Sequence, residues 1–128
     1  MIVDSSALIA ILRAEPGWER LADAALVSSC KMSTATWVEA SIVAEQRAGG
    51  GERLDELVAA LEIELVPVSV RDATVARLAH RRFGRGSGSR ARLNLGDCFS
   101  YALAVTAGEP LLYVGEDFAL TDIASALS

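Results

Sequence analysis

The sequence has little of what several common enzyme classes require. Histidine occurs once, as His80, and cysteine twice, as Cys30 and Cys98, among 128 residues. A single histidine in an arginine-rich segment argues against a Ser-His-Asp arrangement, and no Cys and His cluster offers a zinc site. The Gly-x-x-x-x-Gly-Lys-Ser/Thr loop of nucleotide hydrolases is also missing. Among catalytic groups, the sequence therefore favours carboxylates, whose usual work is metal-assisted.

Apolar runs are also short. None approaches the ~18 residues that a membrane span requires, and the first residues lack the basic lead, apolar block and cleavage site of a signal peptide. We therefore expect no membrane association. The two cysteines form neither a CxxC pair nor a disulfide framework, which predicts buried, reduced thiols in a cytoplasmic protein.

The composition predicts a well-packed domain. Hydrophobic residues make up 52% of the chain and charged residues 23%, and the length suits a single domain over residues 1–128. The formal net charge of −5 argues against nonspecific coating of nucleic acid. The charge is uneven, however, because the stretch 73–96 contains six arginines and His80 but no acid.

Strand and helix patterns alternate along the chain. The β-branched pair Ile2-Val3 predicts a strand that is buried on both faces. We predict further strands at 31–33, 65–68 and 111–114, and helices after Asp4, over 18–25, 34–48, 54–61, 75–83 and 94–107, with a short last helix capped by Thr121 or Asp122. This alternation predicts an α/β fold with a central parallel sheet flanked by helices. The glycine-rich stretch 84–92 predicts a mobile loop that buries no face.

Four acids stand at related positions in these elements. Asp4 and Asp117 each follow a buried strand, whereas Glu39 and Asp97 each lie in the opening turn of a helix. Parallel strands end, and the helices after them begin, at the same edge of a sheet, so all four carboxylates are expected in one cleft. Carboxylates that close raise one another's pKa values unless a cation neutralises them, and all-oxygen ligands favour Mg²⁺ or Mn²⁺ over zinc. The number of ions stays open.

Each acid also has a purely structural explanation. Asp4 could cap the helix that follows it, and Asp117 lies in a glycine turn, where aspartate is common. Glu39 stands three residues after Thr36, which is the spacing of a capping box. Asp97 stands three residues after an asparagine and could simply oppose the helix dipole. Taken singly, these explanations stay open; the joint placement favours the cleft.

Four segments together resemble PIN-domain ribonucleases, and among these the VapC-type toxins of type II toxin–antitoxin systems. They are IVDSSAL at 2–8, STATWVEA at 33–40, LNLGDCFSYALA at 93–104 and GEDFALTDI at 115–123. The resemblance implies a three-layer α/β/α PIN fold and a Mg²⁺- or Mn²⁺-dependent endoribonuclease that cleaves RNA phosphodiester bonds with a metal-activated water. It also implies a VapB-type antitoxin whose C-terminal tail obstructs the acidic cleft, and a toxin homodimer.

The resemblance further implies roles for individual residues. Its acidic quartet of catalytic and metal-binding residues maps onto Asp4, Glu39, Asp97 and Asp117. We expect the three aspartates to hold the metal directly or through water, and the glutamate to be a ligand or to orient the attacking water. The motifs also match accessory residues at Ser5, Thr121 and Asp122.

The basic segment supplies candidates for RNA contact, because guanidinium groups pair bidentately with phosphate. The candidates are Arg81, Arg82, Arg85, Arg90 and Arg92. The alternatives are a solubilising loop, or ion pairs with the acids near Asp55, Glu56, Glu62 and Glu64.

Two other functions are compatible with the same residues. The first is a non-catalytic metal- or RNA-binding module in which the acids only stabilise the fold. The second is phosphotransfer with Asp4 as nucleophile, as in haloacid-dehalogenase-like phosphatases. That family places a second aspartate two positions later, where this sequence has Ser6.

Overall fold

A computed structural model describes residues 1–127, which form four strands, six α-helices and one 3₁₀ turn. In chain order the elements are β1 (Ile2–Val3), α1 (Ser5–Leu12), α2 (Trp18–Leu26), β2 (Lys31–Ser33), α3 (Thr34–Ala44), α4 (Gly50–Ala60), β3 (Glu64–Val66), α5 (Val70–Phe83), α6 (Leu95–Ala107), β4 (Leu111–Leu112) and the 3₁₀ turn Phe118–Leu120. Within 1–127, no helix has the length and apolar character needed to cross a bilayer.

The four strands form one parallel sheet in the order β3-β2-β1-β4. Ile2 pairs with Lys31 on one side and with Leu111 on the other, so β1 lies at the centre. β3 is an edge strand and ends just before Pro67, as suits a residue that has no backbone N–H to donate to a neighbouring strand.

Helices cover both faces of the sheet. Val3, Met32 and Leu112 pack on one face in a core shared with α1 to α4. Ile2 and Leu111 pack on the opposite face in a core shared with α5 and α6. Because neighbouring strand residues face opposite ways, the two-residue strands β1 and β4 each supply both cores. The predicted α/β fold with its three-layer α/β/α arrangement is confirmed.

Very short connections place two helix starts at the carboxyl edge of the sheet. A single residue, Asp4, separates β1 from α1, and α3 begins directly after β2, with Ser33 as its N-cap. The amide groups of both helix starts therefore lie at the ends of the two central strands, where open α/β sheets place their ligands.

Several predicted boundaries differ from the structure. α3 ends at Ala44 rather than residue 48, because the chain turns at 45–49 and Gly50 begins α4 against the Ala44 carbonyl oxygen, where a Cβ would not fit. β3 and β4 are shorter than predicted. The prediction of a short last helix capped by Thr121 or Asp122 is wrong. Residues 124–126 instead pair with Leu111 as an isolated parallel bridge, so their backbone groups bond to β4.

The loop at 84–92 is tied down at its base. Gly84 bridges to Leu93, the Arg85 N–H donates to the Leu93 carbonyl at 3.0 Å, and Ala91 is fully buried. The expectation that this stretch buries nothing is therefore wrong at Ala91, because the chain must return to the core before α6. Its mobility stays a prediction.

Both cysteines are free and buried, as predicted. Burial raises the pKa of the Cys98 thiol to about 11, with a further contribution from the Asp97 carboxylate, and burial also raises the pKa of Cys30. Neither thiol has the lowered pKa of a reactive cysteine.

Candidate active site

Asp4 is a buried carboxylate held by hydroxyl and amide donors. It is 1% exposed and caps α1, with its Oδ2 accepting from the Ser6 N–H at 3.0 Å and the Ser6 hydroxyl at 2.7 Å. Its Oδ1 accepts from the Ser100 hydroxyl at 2.5 Å. No cationic side chain within residues 1–127 forms an ion pair with it. The capping explanation for Asp4 is confirmed, and its carboxylate is buried without a counter-charge from the protein.

Three hydroxyl residues around Asp4 were not singled out as site residues from the sequence. Ser6 also accepts the Val114 N–H at 3.0 Å, which links α1 to the segment after β4. Thr36 and Ser100 lie 3.0 Å apart and are both fully buried. A signal was present in the helical spacing, because Thr36 lies three residues before Glu39 and Ser100 lies three residues after Asp97.

Glu39 lies in the second turn of α3 rather than at its start. The proposed capping box with Thr36 is wrong, because Ser33 caps this helix. The Glu39 Oε1 instead accepts from the Ser5 hydroxyl at 2.7 Å, and the carboxylate lies so close to Gly96 that a Cβ there would overlap it. Glu39 therefore reaches from α3 to both α1 and the first turn of α6.

Asp97 combines a structural and an electrostatic feature. It forms a capping box with Asn94, in which its Oδ2 accepts from the Asn94 N–H at 3.0 Å. Burial raises its pKa to about 6 against the Asn94 hydrogen bond, and the charges of Asp4, Glu39 and Asp117 raise it further. All four acids therefore lie close enough to interact, as predicted.

Asp117 is the exposed member of the group. It stands at the start of the 3₁₀ turn, where its side chain makes no capping hydrogen bond. The next residue, Phe118, is buried and packs on Tyr113 with ring centroids 5.3 Å apart. This packing anchors the turn and leaves the Asp117 carboxylate facing solvent.

The donor set fits a hard divalent cation in its chemistry. The group supplies only carboxylate oxygens, and Asp97 already experiences the uncompensated charge of the other three. Within residues 1–127, however, no three acidic, histidine or cysteine side chains are already arranged to enclose a metal ion. Hydrogen bonds occupy both oxygens of Asp4 and one each of Glu39 and Asp97, so the group is not assembled as a closed cage.

The other accessory candidates hydrogen-bond to residues outside this group. Thr121 closes the 3₁₀ turn by donating to the Phe118 carbonyl at 2.6 Å. Asp122 accepts from the Tyr101 hydroxyl at 2.6 Å and from Arg82 at 3.2 Å. Burial and this hydrogen bond raise the pKa of Tyr101 to about 12. The structure therefore brings only Ser5, of the three accessory candidates, into contact with one of the four acids.

The five candidate arginines are all exposed. Arg82 pairs with Asp122 and lies over the Phe83 ring at 4.7 Å, so the alternative of ion pairs with Asp55, Glu56, Glu62 or Glu64 is not observed for it. The basic loop leads directly through Leu93 into the cap of α6. Positive charge and the acidic group therefore meet at the start of one helix.

Comparison with known proteins assigns the fold and family. A model of the PIN domain matches residues 1–124. The chain is 49% identical to Ribonuclease VapC of Mycolicibacterium smegmatis, over 98% of each chain.

Two solved structures share the fold at low identity. The Mycobacterium tuberculosis VapC20, described as a sarcin-ricin loop cleaving toxin, matches with TM-score 0.71 and 16% identity, over 96% of this chain and 95% of that one. A chain of a toxin-antitoxin complex from Klebsiella pneumoniae matches with TM-score 0.69 and 18% identity, over 92% and 89%. With the family model and the near full-length identity, the protein belongs to the PIN-domain family, among the VapC ribonucleases.

Proposed function

We propose that this VapC ribonuclease is a Mg²⁺- or Mn²⁺-dependent endoribonuclease toxin whose catalytic site is formed by Asp4, Glu39, Asp97 and Asp117. The observation that carries the proposal is the raised pKa of Asp97, to which the other three carboxylates contribute. A divalent cation bound beside Asp97 and the three carboxylates that act on it would offset this concentration of negative charge. The name of the relative at 49% identity supports RNA cleavage as the reaction.

The four acids would have different roles in the reaction. A bound divalent cation would supply positive charge that stabilises a phosphodiester under attack and makes a water more acidic. Asp4, Asp97 and Asp117 would hold the cation, while Glu39, fixed at Oε1 by Ser5, would orient the attacking water and accept its proton. The water oxygen then bonds to phosphorus as the bond to the leaving oxygen breaks, and the leaving oxygen takes a proton from solvent.

The test of the cation site is Asp4→Asn, assayed for RNA cleavage with Mn²⁺ and with EDTA. Asparagine is as good a helix cap as aspartate, so folding should survive. Removing a ligand charge should reduce cleavage roughly 100-fold or more. Glu116→Gln, which changes the exposed acid beside Asp117, is the control and should cleave as the wild type does. Stoichiometric Mn²⁺ binding by the wild type without any cleavage would instead support the non-catalytic module.

The basic segment would bind the RNA backbone beside the acids. Changing Arg81, Arg85 and Arg90 to glutamine should weaken RNA binding. The slope of log affinity against log salt concentration should also fall by about two units, because binding then makes fewer phosphate contacts and releases fewer counterions. The matched control changes three other exposed arginines: Arg47 in the turn before α4, Arg53 on α4 and Arg71 on α5. Equal slopes in both triple variants would leave the arginine loop as a solubilising segment.

We also propose that a VapB-type antitoxin neutralises this toxin. The toxin-antitoxin complex of the same fold supports this partner. A short open reading frame beside the gene that encodes a DNA-binding pattern would identify the antitoxin. Co-expression should yield a stable complex with lower cleavage activity, and a product that neither binds nor inhibits the enzyme would refute that pairing.

A homodimer is the assembly we propose. Beside Glu39, a shallow apolar groove between α3 and α6 is lined by Val38, Ile42, Leu95 and Phe99, and Leu95 is 70% exposed. Exposed apolar side chains that share one groove are typical of protein interfaces. Light scattering should give twice the chain mass, and Ile42→Asp should reduce it to the monomer.

We further propose that residues 1–128 form a single PIN domain in the cytoplasm. One sheet carries both cores, and the described chain offers no second core unit. Two free, buried thiols suit a reducing compartment. Cell fractionation and limited proteolysis would test the two statements, with one protected fragment of full length expected.

A further inference from the structure

We propose that Ser100 and Thr36 are positioning residues for the reaction, a buried hydroxyl pair that orients the Asp4 carboxylate and fixes the crossing of α3 and α6. The proposal rests on the cation site proposed above. It adds two residues that neither the motifs nor the comparisons assign.

The direction of the hydrogen bonds follows from the number of protons available. The Ser100 hydroxyl has one proton, and it donates this proton to the Asp4 Oδ1 at 2.5 Å. In the contact between Thr36 and Ser100, at 3.0 Å, Thr36 must therefore be the donor. The chain of donors runs from Thr36 to Ser100 to Asp4, and each bond polarises the next. The Ser6 hydroxyl and N–H hold the other oxygen, so both Asp4 oxygens have fixed partners.

The same hydroxyl pair sets the distance between two helices that carry acids. Ser100 lies one turn beyond Asp97 on α6, and Thr36 lies one turn before Glu39 on α3. The helices touch again where the Glu39 carboxylate lies against Gly96. The hydroxyl contact and the glycine contact together fix how far α3 stands from α6, and therefore how far Glu39 stands from Asp97.

Packing alone does not account for these two residues. Both side chains are fully buried, and their neighbours on α3 and α6 include Ala40, Cys98 and Ala104, which are buried in the two cores. Replacing a buried hydrogen-bonded pair with apolar side chains of similar shape is often nearly neutral for stability. The polar pair at this crossing gives the Asp4 Oδ1 a donor, which apolar side chains would not.

The test measures Mn²⁺ affinity by calorimetry on the RNA-free protein. Ser100→Ala should weaken Mn²⁺ binding about tenfold, as loss of a supporting hydrogen bond to a ligand does. Thr36→Val keeps the shape and leaves the Ser100 bond to Asp4 in place, so its effect should be smaller, about threefold. In the cleavage assay, kcat should fall in both variants while KM for RNA stays unchanged, because the arginine loop is intact.

Thr106→Val is the matched control. Thr106 lies on α6, as Ser100 does. Its hydroxyl donates to the buried Asp72 carboxylate at 2.6 Å, away from the four acids. It should lower the melting temperature as the other two variants do but leave Mn²⁺ affinity unchanged. In the Ser100→Ala background, Thr36→Val should cause no further loss of affinity, because the donor chain is already broken.

The outcomes separate the two proposals. If Ser100→Ala and Thr36→Val bind Mn²⁺ as tightly as Thr106→Val does, the positioning role is refuted while the cation site stands. If the wild type itself binds no Mn²⁺, or if Asp4→Asn binds it normally, the cation site fails and the positioning role fails with it. Should Ser100→Ala not fold, Thr36→Val decides by the same comparison.

Discussion

At the amino edge of the sheet, Glu109 lies between two cations of the protein itself, the Met1 ammonium at 2.5 Å and the Lys31 Nζ at 2.6 Å. Hydrogen bonds from both cations lower its pKa. At the carboxyl edge, no cationic side chain within residues 1–127 forms an ion pair with Asp4, Glu39, Asp97 or Asp117, and the pKa of Asp97 is raised to about 6. The same β1 strand connects the two edges.

The difference separates charges that serve the fold from charges available for binding. The chain itself supplies two counter-charges for Glu109. Its carboxylate therefore stabilises the folded state and has little unpaired negative charge with which to bind a ligand. At the carboxyl edge, hydroxyl and amide donors hold Asp4, Glu39 and Asp97, and such donors orient a carboxylate without neutralising it. That edge therefore keeps an unbalanced negative charge.

The strongest way to remove this contrast is to give the carboxyl edge a cation of its own. Asp117→Lys replaces an exposed acid with an ammonium beside the other three carboxylates. We expect Mn²⁺ binding to be lost and cleavage to fall more than about 100-fold, since a ligand is gone and a repelling charge is added. Asp117→Asn, which removes the ligand charge without adding a cation, should lose less. Mn²⁺-dependent cleavage by Asp117→Lys at the wild-type rate would contradict the assignment.

A smaller change displaces one acid without altering any charge. In Gly96→Ala the new Cβ would overlap the Glu39 carboxylate, which can rotate away at little cost because it ends a flexible side chain. We expect cleavage to fall about tenfold or more, since Glu39 leaves the position of a general base. Gly51→Ala in α4, whose Cβ would meet the Glu45 side chain, is the control and should keep full activity. Equal activities would show that the position of Glu39 does not matter.

The pH dependence of stability should distinguish the two edges in metal-free protein. The pKa of Asp97 is about 6 in the folded state, above its ordinary value of 3.8, so the folded state holds this proton more tightly. The resulting stability is present below pH 4 and is lost as the pH rises through about 6. After allowance for partial exposure, the loss should be about 1–2 kcal/mol. Urea melts in EDTA between pH 4 and 7 should show this slope, and Asp97→Asn should flatten it.

The smallest effect is expected at the amino edge. Glu109→Gln removes the acid between two cations, and the free energy of unfolding at pH 7 should drop by roughly 0.5–1 kcal/mol. Because the pKa of Glu109 is lowered, its contribution is present above its ordinary pKa and fades as the pH falls below it, opposite in sign to that of Asp97. Mn²⁺ affinity should be unchanged. A weaker affinity would mean that the two edges are coupled.

The sequence could predict that the four acids lie near one another, because the positions of Asp4 and Asp97 depend on local patterns. Asp4 follows two buried β-branched residues, and Asp97 stands at capping-box distance from Asn94, so burial and helix spacing determine both. Parallel strands then bring their ends to one edge. For Glu39 the capping hypothesis was wrong because Ser33, the last residue of β2, caps the helix instead.

The supporting hydroxyl residues were harder to predict, since their partners are distant in sequence. Ser100 meets Asp4 across 96 residues and Thr36 across 64, and no local pattern encodes such pairings. The prediction of a helix at the end of the chain failed for a similar reason, because residues 124–126 bond to Leu111 rather than to one another. Local propensity favoured a helix there, and a tertiary contact overrode it.

The return of residues 124–126 to β4 has a consequence for assembly. Leu111 donates to Ala124 and accepts from Ala126, so the outer side of β4 is already occupied by the chain itself. A foreign strand that extended this sheet would have to add beside β3, where Pro67 shortens the available ladder. In the described chain, the edge open to strand addition is thus the three residues of β3, which offer another polypeptide a short ladder of backbone hydrogen bonds.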